Sequence, residues 1–317
     1  MRNYLLKRLF MTLLVLVLVT IYLTLLVHIV PGDPAKSLLG PRANPERIAR
    51  IRSAMNLDKP ILQQIKISLV NLVRGDLGTD IFTGRRISML IKSALPHTLI
   101  LAWTSLSLAV ILGIPLGVYS ATHPDSWLDR FTAIISISFI TVPSYVGGLF
   151  LLLIFAVNLQ WMPAIGLGDK GNWLDYLQHL ALPAVALAIT WVGYLARLVR
   201  ASLLEVLNQT YIRAEMAAGI PLRKIYYQYA LKNALIPTVA VLGVGIGNLM
   251  AGAVFVELIF TRPGMGTLIY NAIQARNYPV VRAGVLVVAF LFVAANLLAD
   301  ILYTYLDPRI QLGKVRG

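Results

Sequence analysis

Few side chains in this chain are of a type, and none at a spacing, that would make or break bonds. The four histidines, His28, His97, His123 and His179, are scattered near the ends of apolar stretches, where an imidazole reads as an interfacial residue rather than a ligand or base. There is no cysteine, which removes thiolate nucleophiles, disulfide frameworks and cysteine zinc clusters. No H-E-x-x-H string supplies a zinc peptidase and no G-x-S-x-G string a nucleophile elbow. Hydrolysis of ATP by the chain itself would need G-x-x-x-x-G-K-[ST], whose backbone amides and lysine hold the phosphates. The only Gly-Lys pair, Gly313-Lys314, is followed by Val315 and lacks the upstream glycine. Gly243, Gly245 and Gly247 have no strand before them and sit inside an apolar run, so a dinucleotide loop is rejected.

What remains is a set of polar or helix-breaking residues inside apolar stretches. Pro143, Ser144, Asn248 and Glu257 are candidates to line a path across a membrane, although a packing role accounts for each of them as well. Glu257 and Asp300 fall near the ends of their stretches, where water or headgroups are within reach. A charge held at mid-membrane costs at least ~2.5 kcal/mol and marks proton or ion relays. The sequence has none at that depth, so transport powered by the chain alone is disfavoured and the energy is expected from a partner.

The elements that position these residues follow from composition. The chain has 317 residues, of which 58% are hydrophobic and 13% charged, with a mean hydropathy of +0.74, far from a soluble domain with about a quarter of its residues charged. Six stretches reach the roughly 20 apolar residues that a helix needs to cross the hydrocarbon core: Leu9 to Val30, Leu99 to Ser120, Ile134 to Leu159, Leu182 to Leu204, Ile236 to Leu258 and Val280 to Tyr303. The expected fold is all-α and polytopic, with the third span the longest and interrupted by Pro143. The apolar run after Arg2, Lys7 and Arg8 is too long for a secretory signal and has no small-residue cleavage site, so it is expected to stay as the first span.

The net charge of +14 reads as membrane topology rather than nucleic-acid binding. Arg2, Lys7 and Arg8, the connection holding Arg197, Arg200, Arg213, Arg223, Lys224 and Lys232, and the tail with Arg309, Lys314 and Arg316 are expected on the cytoplasmic side of the inner membrane. The opposite side holds Lys170, Arg262, Arg276 and Arg282. The external segment Pro31 to Thr98 predicts short amphipathic helices. Asn44-Pro45-Glu46 supplies an N-cap ahead of Ile48, Ile51 and Met55; Ile61, Ile65, Leu69 and Leu72 form a second stripe, and Ile87, Leu90, Ile91 and Ala94 a third. A lid on the bundle and a substrate-recognition element both fit this segment. Gly113 with Gly117, and Gly243 with Gly247 and Ala251, are small-residue pairs that let helices approach closely. Three divisions result: residues 1–94, one span plus the amphipathic segment; 95–306, the transmembrane body; and 307–317, a tail.

The connection between the fourth and fifth spans carries the most local information. A helix-forming run from Ser202 to Ala218 meets Gly219, able to take the left-handed C-cap conformation, and Pro221 is suited to start the next helix. Ile220, Leu222 and Ile225 then form an apolar knob between Arg213, Arg223 and Lys224, a ridge for a groove on another protein. An ordinary basic cytoplasmic loop fits the same composition.

The residue order here resembles the loop of permease subunits of bacterial ABC importers, which begins Glu-Ala-Ala and reaches glycine after three more residues. Here the triplet is Arg213-Ala214-Glu215 with Gly219 in place, and Lys232 stands where many such permeases have proline; these departures resemble the dipeptide and oligopeptide branch. The likeness continues through Pro31-Gly32-Asp33-Pro34, Asn56-Leu57-Asp58-Lys59-Pro60, Gly75-Asp76-Leu77-Gly78, Leu95-Pro96, Trp161-Met162-Pro163, Arg197-Leu198-Val199-Arg200, Pro263-Gly264-Met265-Gly266, Tyr278-Pro279 and Asp307-Pro308-Arg309, in the order of that family's B-type subunit. The resemblance implies a type I ABC importer (MetI-like) permease fold. It also implies four kinds of partner: a homologous second permease, two cytoplasmic ATPases that bind ATP and Mg, an extracytoplasmic substrate-binding protein, and membrane lipid. It assigns ATPase coupling to Arg213, Ala214, Glu215, Gly219, Ile220, Pro221, Leu222, Arg223 and Ile225, with no catalytic residue, metal or directly bound cofactor in this chain. Relatives of this branch move dipeptides, longer peptides, glutathione, opines and nickel complexes, and these cargoes stay open.

Overall fold

In the computed structural model, residues 2–29, 35–36, 44–169 and 171–306 are described. The Pro31 to Pro34 and Asp307 to Arg309 motifs, Lys170 and the basic tail lie outside them. The helices are α1 (Arg2–Ile29), α2 (Pro45–Ala54), α3 (Ile61–Arg74), α4 (Ile87–Thr122), α5 (Trp127–Thr141), α6 (Ser144–Leu151, continued by a π turn Leu152–Asn158), α7 (Trp173–Leu207), α8 (Thr210–Ala217), α9 (Ile236–Ile259), α10 (Met265–Gln274) and α11 (Tyr278–Leu306). No strand is found among the described residues; the one β-bridge, Thr79 with Arg86, closes a loop.

Among the described residues five helices are long and apolar enough to cross a membrane, within Phe10–Ile29, Ile87–Thr122, Trp173–Leu207, Ile236–Ile259 and Tyr278–Ala299. The sixth expected span is a bent pair: Trp127–Thr141 and Ser144–Asn158 meet at 105°. The cause is local. Proline has no N–H and excludes α geometry from the residue before it. Val142 is accordingly extended, with φ −83° and ψ 121°, and Pro143 at φ −57° and ψ 140° caps the second helix.

The chain divides into two compact units, Met1–His97 with Pro263–Val293, and Thr98–Arg262 with Ala294–Gly317. Two of the boundaries fall inside α4 and α11, and the third, after Arg262, lies between α9 and α10.

In the first unit the N-cap expected at Asn44 is present, its side chain accepting from the Glu46 amide at 3.0 Å, and Ile48, Ile51 and Met55 are the least exposed positions of that turn sequence. The second amphipathic helix, α3, forms, with Ile65, Leu69 and Leu72 half-buried and Ile61 exposed; its buried positions, Gln64 and Ser68, are polar. The third stripe does not form a separate helix. Ile87, Ile91 and Ala94 are the first turns of α4 and pack with Met265, Ala272, Val280 and Ala283. The loop before α4 is built on Asp80, which accepts from the Phe82 amide at 3.1 Å and from the Thr83 hydroxyl and the Asn277 side-chain amide.

In the second unit α7 is the hub, with α4, α5, α6 and α9 laid against it. Gly113 and Gly117 face it as the small-residue pair predicts: a Cβ on Gly117 would stand 2.6 Å from the Ala196 carbonyl oxygen. Of the second small-residue set, Gly243 meets Ala299 on α11, where an added Cβ would lie 1.9 Å from the Ala299 Cβ; Gly245, outside that set, sits beneath the Trp191 ring.

Candidate functional site: a helical corner and a broken span

The corner between α7 and α9 starts at Asn208 and Gln209, where α7 stops at Leu207, well short of the run to Ala218 read from sequence, and α8 begins afresh at Thr210. α8 closes in a Schellman motif around Gly219. The Gly219 amide donates to Met216 O at 3.0 Å and the Ile220 amide to Glu215 O at 3.3 Å, with Gly219 at φ +77°. Pro221 then caps a short helical turn, Leu222–Lys224, that passes into a π turn, Ile225–Ala230. The predicted stop and restart are both present.

Two isoleucines fix this corner to the bundle. Ile212 and Ile225 are fully buried with Val118, Val199, Leu203, Ala230 and Ala234. Ile225 therefore does not belong to the exposed knob expected from sequence. It is fully buried where the short helix gives way to the π turn, while Leu222, one turn earlier, is exposed, so Ile225 anchors rather than presents. Leu222 is 53% exposed, with Arg213, Ala214, Gly219, Pro221 and Arg223 also exposed and Glu215 and Ile220 half-buried. The Asn233 side-chain amide donates to the Tyr211 hydroxyl at 2.8 Å, closing the corner from its far side. Pro221, Arg223, Lys224, Tyr227 and Gln228 line an open cleft of about 450 Å³. The corner thus presents Leu222 among Arg213, Arg223 and Lys224 on a backbone fixed by the Gly219 cap.

The broken span forms the second feature. Pro143 and Ser144 at the break, Thr190 and Trp191 on α7, and Asn248 on α9 surround a cavity of about 200 Å³. It adjoins a larger one, about 680 Å³, lined by Ile140, Thr190, Trp191, Tyr194, Val244 and Asn248. Three of the four residues singled out for a path, Pro143, Ser144 and Asn248, are thus brought together. Thr190, Trp191 and Tyr194 were not foreseen, although the i, i+3 spacing of two amphipathic aromatics on one helix face was a usable signal. Their rings meet edge-on with centroids 5.8 Å apart. The surface offered is aromatic with a few hydrogen-bonding groups, suited to an uncharged or zwitterionic solute.

Glu257 is elsewhere. It was expected to reach water or headgroups, but it is 1% exposed, and the Thr98 hydroxyl donates to its Oε1 at 2.5 Å. Arg262, expected as a loop charge, is likewise buried. It donates to the His179 carbonyl at 3.1 Å and lies over the Tyr176 ring, 5.5 Å from its centroid. Burial pulls this guanidinium below its ordinary value, opposed by Tyr176 and the Glu257 charge. The Glu257 and Arg262 groups therefore act in holding the bundle end together. No cluster of three or more metal-ligating His, Asp or Glu side chains occurs among the described residues.

Residues 113–312 match the family described as binding-protein-dependent transport system inner membrane component, and residues 1–102 match the N-terminal region of such membrane components. The chain belongs to this family. It is 40% identical over 310 residues to the probable D,D-dipeptide transport system permease protein DdpB of Escherichia coli, covering 90% of this chain and 91% of that one. It is 36% identical to the dipeptide transport system permease protein DppB of Alkalihalophilus pseudofirmus, over 98% of this chain and all (100%) of that one. The glutathione transport system permease protein GsiC of Shigella flexneri is 35% identical over 98% of this chain and 99% of its own length. Among solved structures, an inward-facing form of the MetNI methionine ABC transporter matches with a TM-score of 0.58 at 19% identity, covering 69% of this chain and 97% of that one. That likeness carries the fold: an all-α permease of the ABC importer type. The resemblance read from the ordered motifs is borne out, and the chain is a membrane-embedded permease component.

Proposed function

We propose that this chain forms half of the translocation path of an ATP-driven importer for di- or oligopeptides. The reading rests on one observation above others. The Gly219 corner, anchored by Ile212 and Ile225, presents Leu222 between Arg213, Arg223 and Lys224 as a rigid ridge at the ends of α7 and α9. A partner that pushes this ridge moves two spans of the bundle together.

In this reading the corner and both termini face the cytoplasm, as their lysines and arginines favour. Two cytoplasmic ATPases bind ATP and Mg, receive the ridge through Arg213, Ala214, Glu215, Gly219, Ile220, Pro221, Leu222 and Arg223, and supply the closing motion. This chain takes no part in hydrolysis. A homologous second permease completes the path, and an extracytoplasmic binding protein delivers cargo. Residues 95–306 carry the path and corner, residues 1–94 add the outer amphipathic helices, and 307–317 is a cytoplasmic tail. The cavity at Pro143, Ser144, Trp191 and Asn248 gives a peptide backbone apolar walls with few fixed hydrogen-bonding groups, which suits cargo of varied side chains.

Kinship to glutathione permeases at 35% identity supports a second reading, in which the cargo is glutathione. The experiment is uptake into vesicles holding the chain with its encoded partners. ATP-dependent accumulation of a labelled dipeptide, competed by unlabelled peptides and not by glutathione, is the expected result. Competition by glutathione alone favours the second reading, and gradient-driven uptake by the chain without partners contradicts both.

A further inference from the structure

One of the two buried polar positions of α3, Ser68, meets a cation. Arg282, one turn into α11, donates through Nη1 to the Ser68 hydroxyl. Among the described residues no carboxylate makes an ion pair with it. Beside it lies a cavity of about 160 Å³, bordered by Asn56, Gln64, Ser68, Asn71 and Asp76 as well as by Arg282. One water occupies ~30 Å³ of the liquid, so the space takes a group much larger than a single water.

The other polar groups there are mostly committed. The Gln64 side-chain amide donates to the Lys59 carbonyl at 2.8 Å, the Ser68 hydroxyl donates to the Gln64 carbonyl at 2.8 Å, and Asn56 Oδ1 accepts from Lys59. The Asn71 side chain has no hydrogen bond among the described residues and can donate into the space. A half-buried guanidinium near the positive end of a helix, with no carboxylate paired to it, favours an anion in the space beside it. Asp76 is the opposing influence. It borders the same cavity, but it is exposed and its Oδ1 accepts from the Gly78 amide at 2.9 Å.

We propose that this cavity is an oxyanion site, binding a phosphate group through Arg282 and Asn71, with Ser68 orienting the arginine. Arg282 stands near the start of the candidate span Tyr278–Ala299, where headgroups are within reach of a helix end, so the phosphate comes from a phospholipid headgroup or from free phosphate. The site shares no residue with the corner or the broken span and does not depend on the cargo.

The test uses the full chain purified in detergent and stripped of lipid. Millimolar inorganic phosphate raises the thermal unfolding midpoint by several degrees over chloride at equal ionic strength. Arg282→Gln, which keeps a donor for Ser68, abolishes the shift, and Asp76→Asn lowers the phosphate concentration needed for it severalfold. Native mass spectrometry from bilayers of phosphatidylglycerol or phosphatidylcholine separates the sources: retained lipid displaced by phosphate identifies a headgroup, and a phosphate shift with no retained lipid identifies the free ion. The proposal is overturned if wild type shows no phosphate shift and retains no lipid, or if Arg282→Gln matches wild type in both. An Asp76→Asn chain that responds no better than wild type also counts against it.

Discussion

Arg200 grips the carboxylate of Asp129 with two parallel hydrogen bonds, Nε to Oδ1 at 2.7 Å and a terminal nitrogen to Oδ2 at 2.9 Å, and so joins α7 to the first turn of α5. Asp129 is buried, and its backbone amide is held by the Ser126 hydroxyl that caps α5 at 3.1 Å. The pair lies one helical turn from Leu203, a member of the cluster that seats Ile212 and Ile225. It fixes the base from which the corner projects.

Replacing Arg200 with leucine leaves the Asp129 carboxylate buried without its main donor. A loss of about 1–2 kcal/mol is expected, the lower part of the range for charged hydrogen bonds because the arginine side chain is 36% exposed. Thermal unfolding of the purified chain measures it. The double replacement with Asp129→Asn should recover part of the loss, since the orphaned charge is gone; a purely additive pair would remove the coupling assigned here.

Gly243→Ala should destabilise by about 1–3 kcal/mol, because the added methyl would overlap Ala299 and the helices must separate. The companion change Ala299→Gly on the same chain should restore most of it. Unfolding midpoints of the two variants, compared by fluorescence-detected chromatography, decide this.

Asp80 gives a pH dependence whose sign follows from its contacts. Burial favours the neutral acid, but the Thr83 hydroxyl, the Phe82 amide and the Asn277 amide outweigh it and hold the carboxyl below its ordinary value of 3.8. The unfolded chain then binds the proton more readily. The stabilisation is complete above the ordinary value and is lost as pH falls through the lower folded one. Asp80→Asn should therefore be less stable than wild type at neutral pH, with the gap closing only below about pH 4. A gap that stays unchanged well below that range would mean that the carboxylate charge is not what Asn277 recognises.

The cavity at the broken span predicts a transport phenotype. Asn248→Trp fills the space shared by Ser144 and Tyr194 and should cut uptake about tenfold, equivalent to ~1.4 kcal/mol on the transport barrier. ATP hydrolysis in the assembled transporter should persist, since the corner is untouched. Normal uptake by this variant would move the path elsewhere.

The parts legible in the sequence are those set by local rules. Apolar length marks the spans, Asn44 its cap, Gly113 and Gly117 their close approach, and Gly219 with Pro221 the corner. What sequence could not reach depends on tertiary partners. Ser68 is buried where Arg282 donates to it, Gln64 where it meets the Lys59 carbonyl and His28, and Glu257 where Thr98, 159 residues away, donates to it. Ile225 read as exposed because its neighbours Arg223 and Lys224 are charged, yet the turn after Pro221 rotates it into the cluster with Leu203. Pro143 signalled a break, but a proline alone does not fix a 105° bend.

The corner as a docking ridge is tested most directly by coupling. In vesicles containing the chain with its partner subunits, ATP hydrolysis and substrate uptake are measured together for wild type, Leu222→Glu and Gly219→Val. The glutamate replaces the exposed apolar contact, and valine at φ +77° breaks the Schellman motif. The expected result is that hydrolysis continues while uptake per ATP falls sharply in both variants, with the chain still folded. Unchanged uptake per ATP in folded Leu222→Glu would contradict the account.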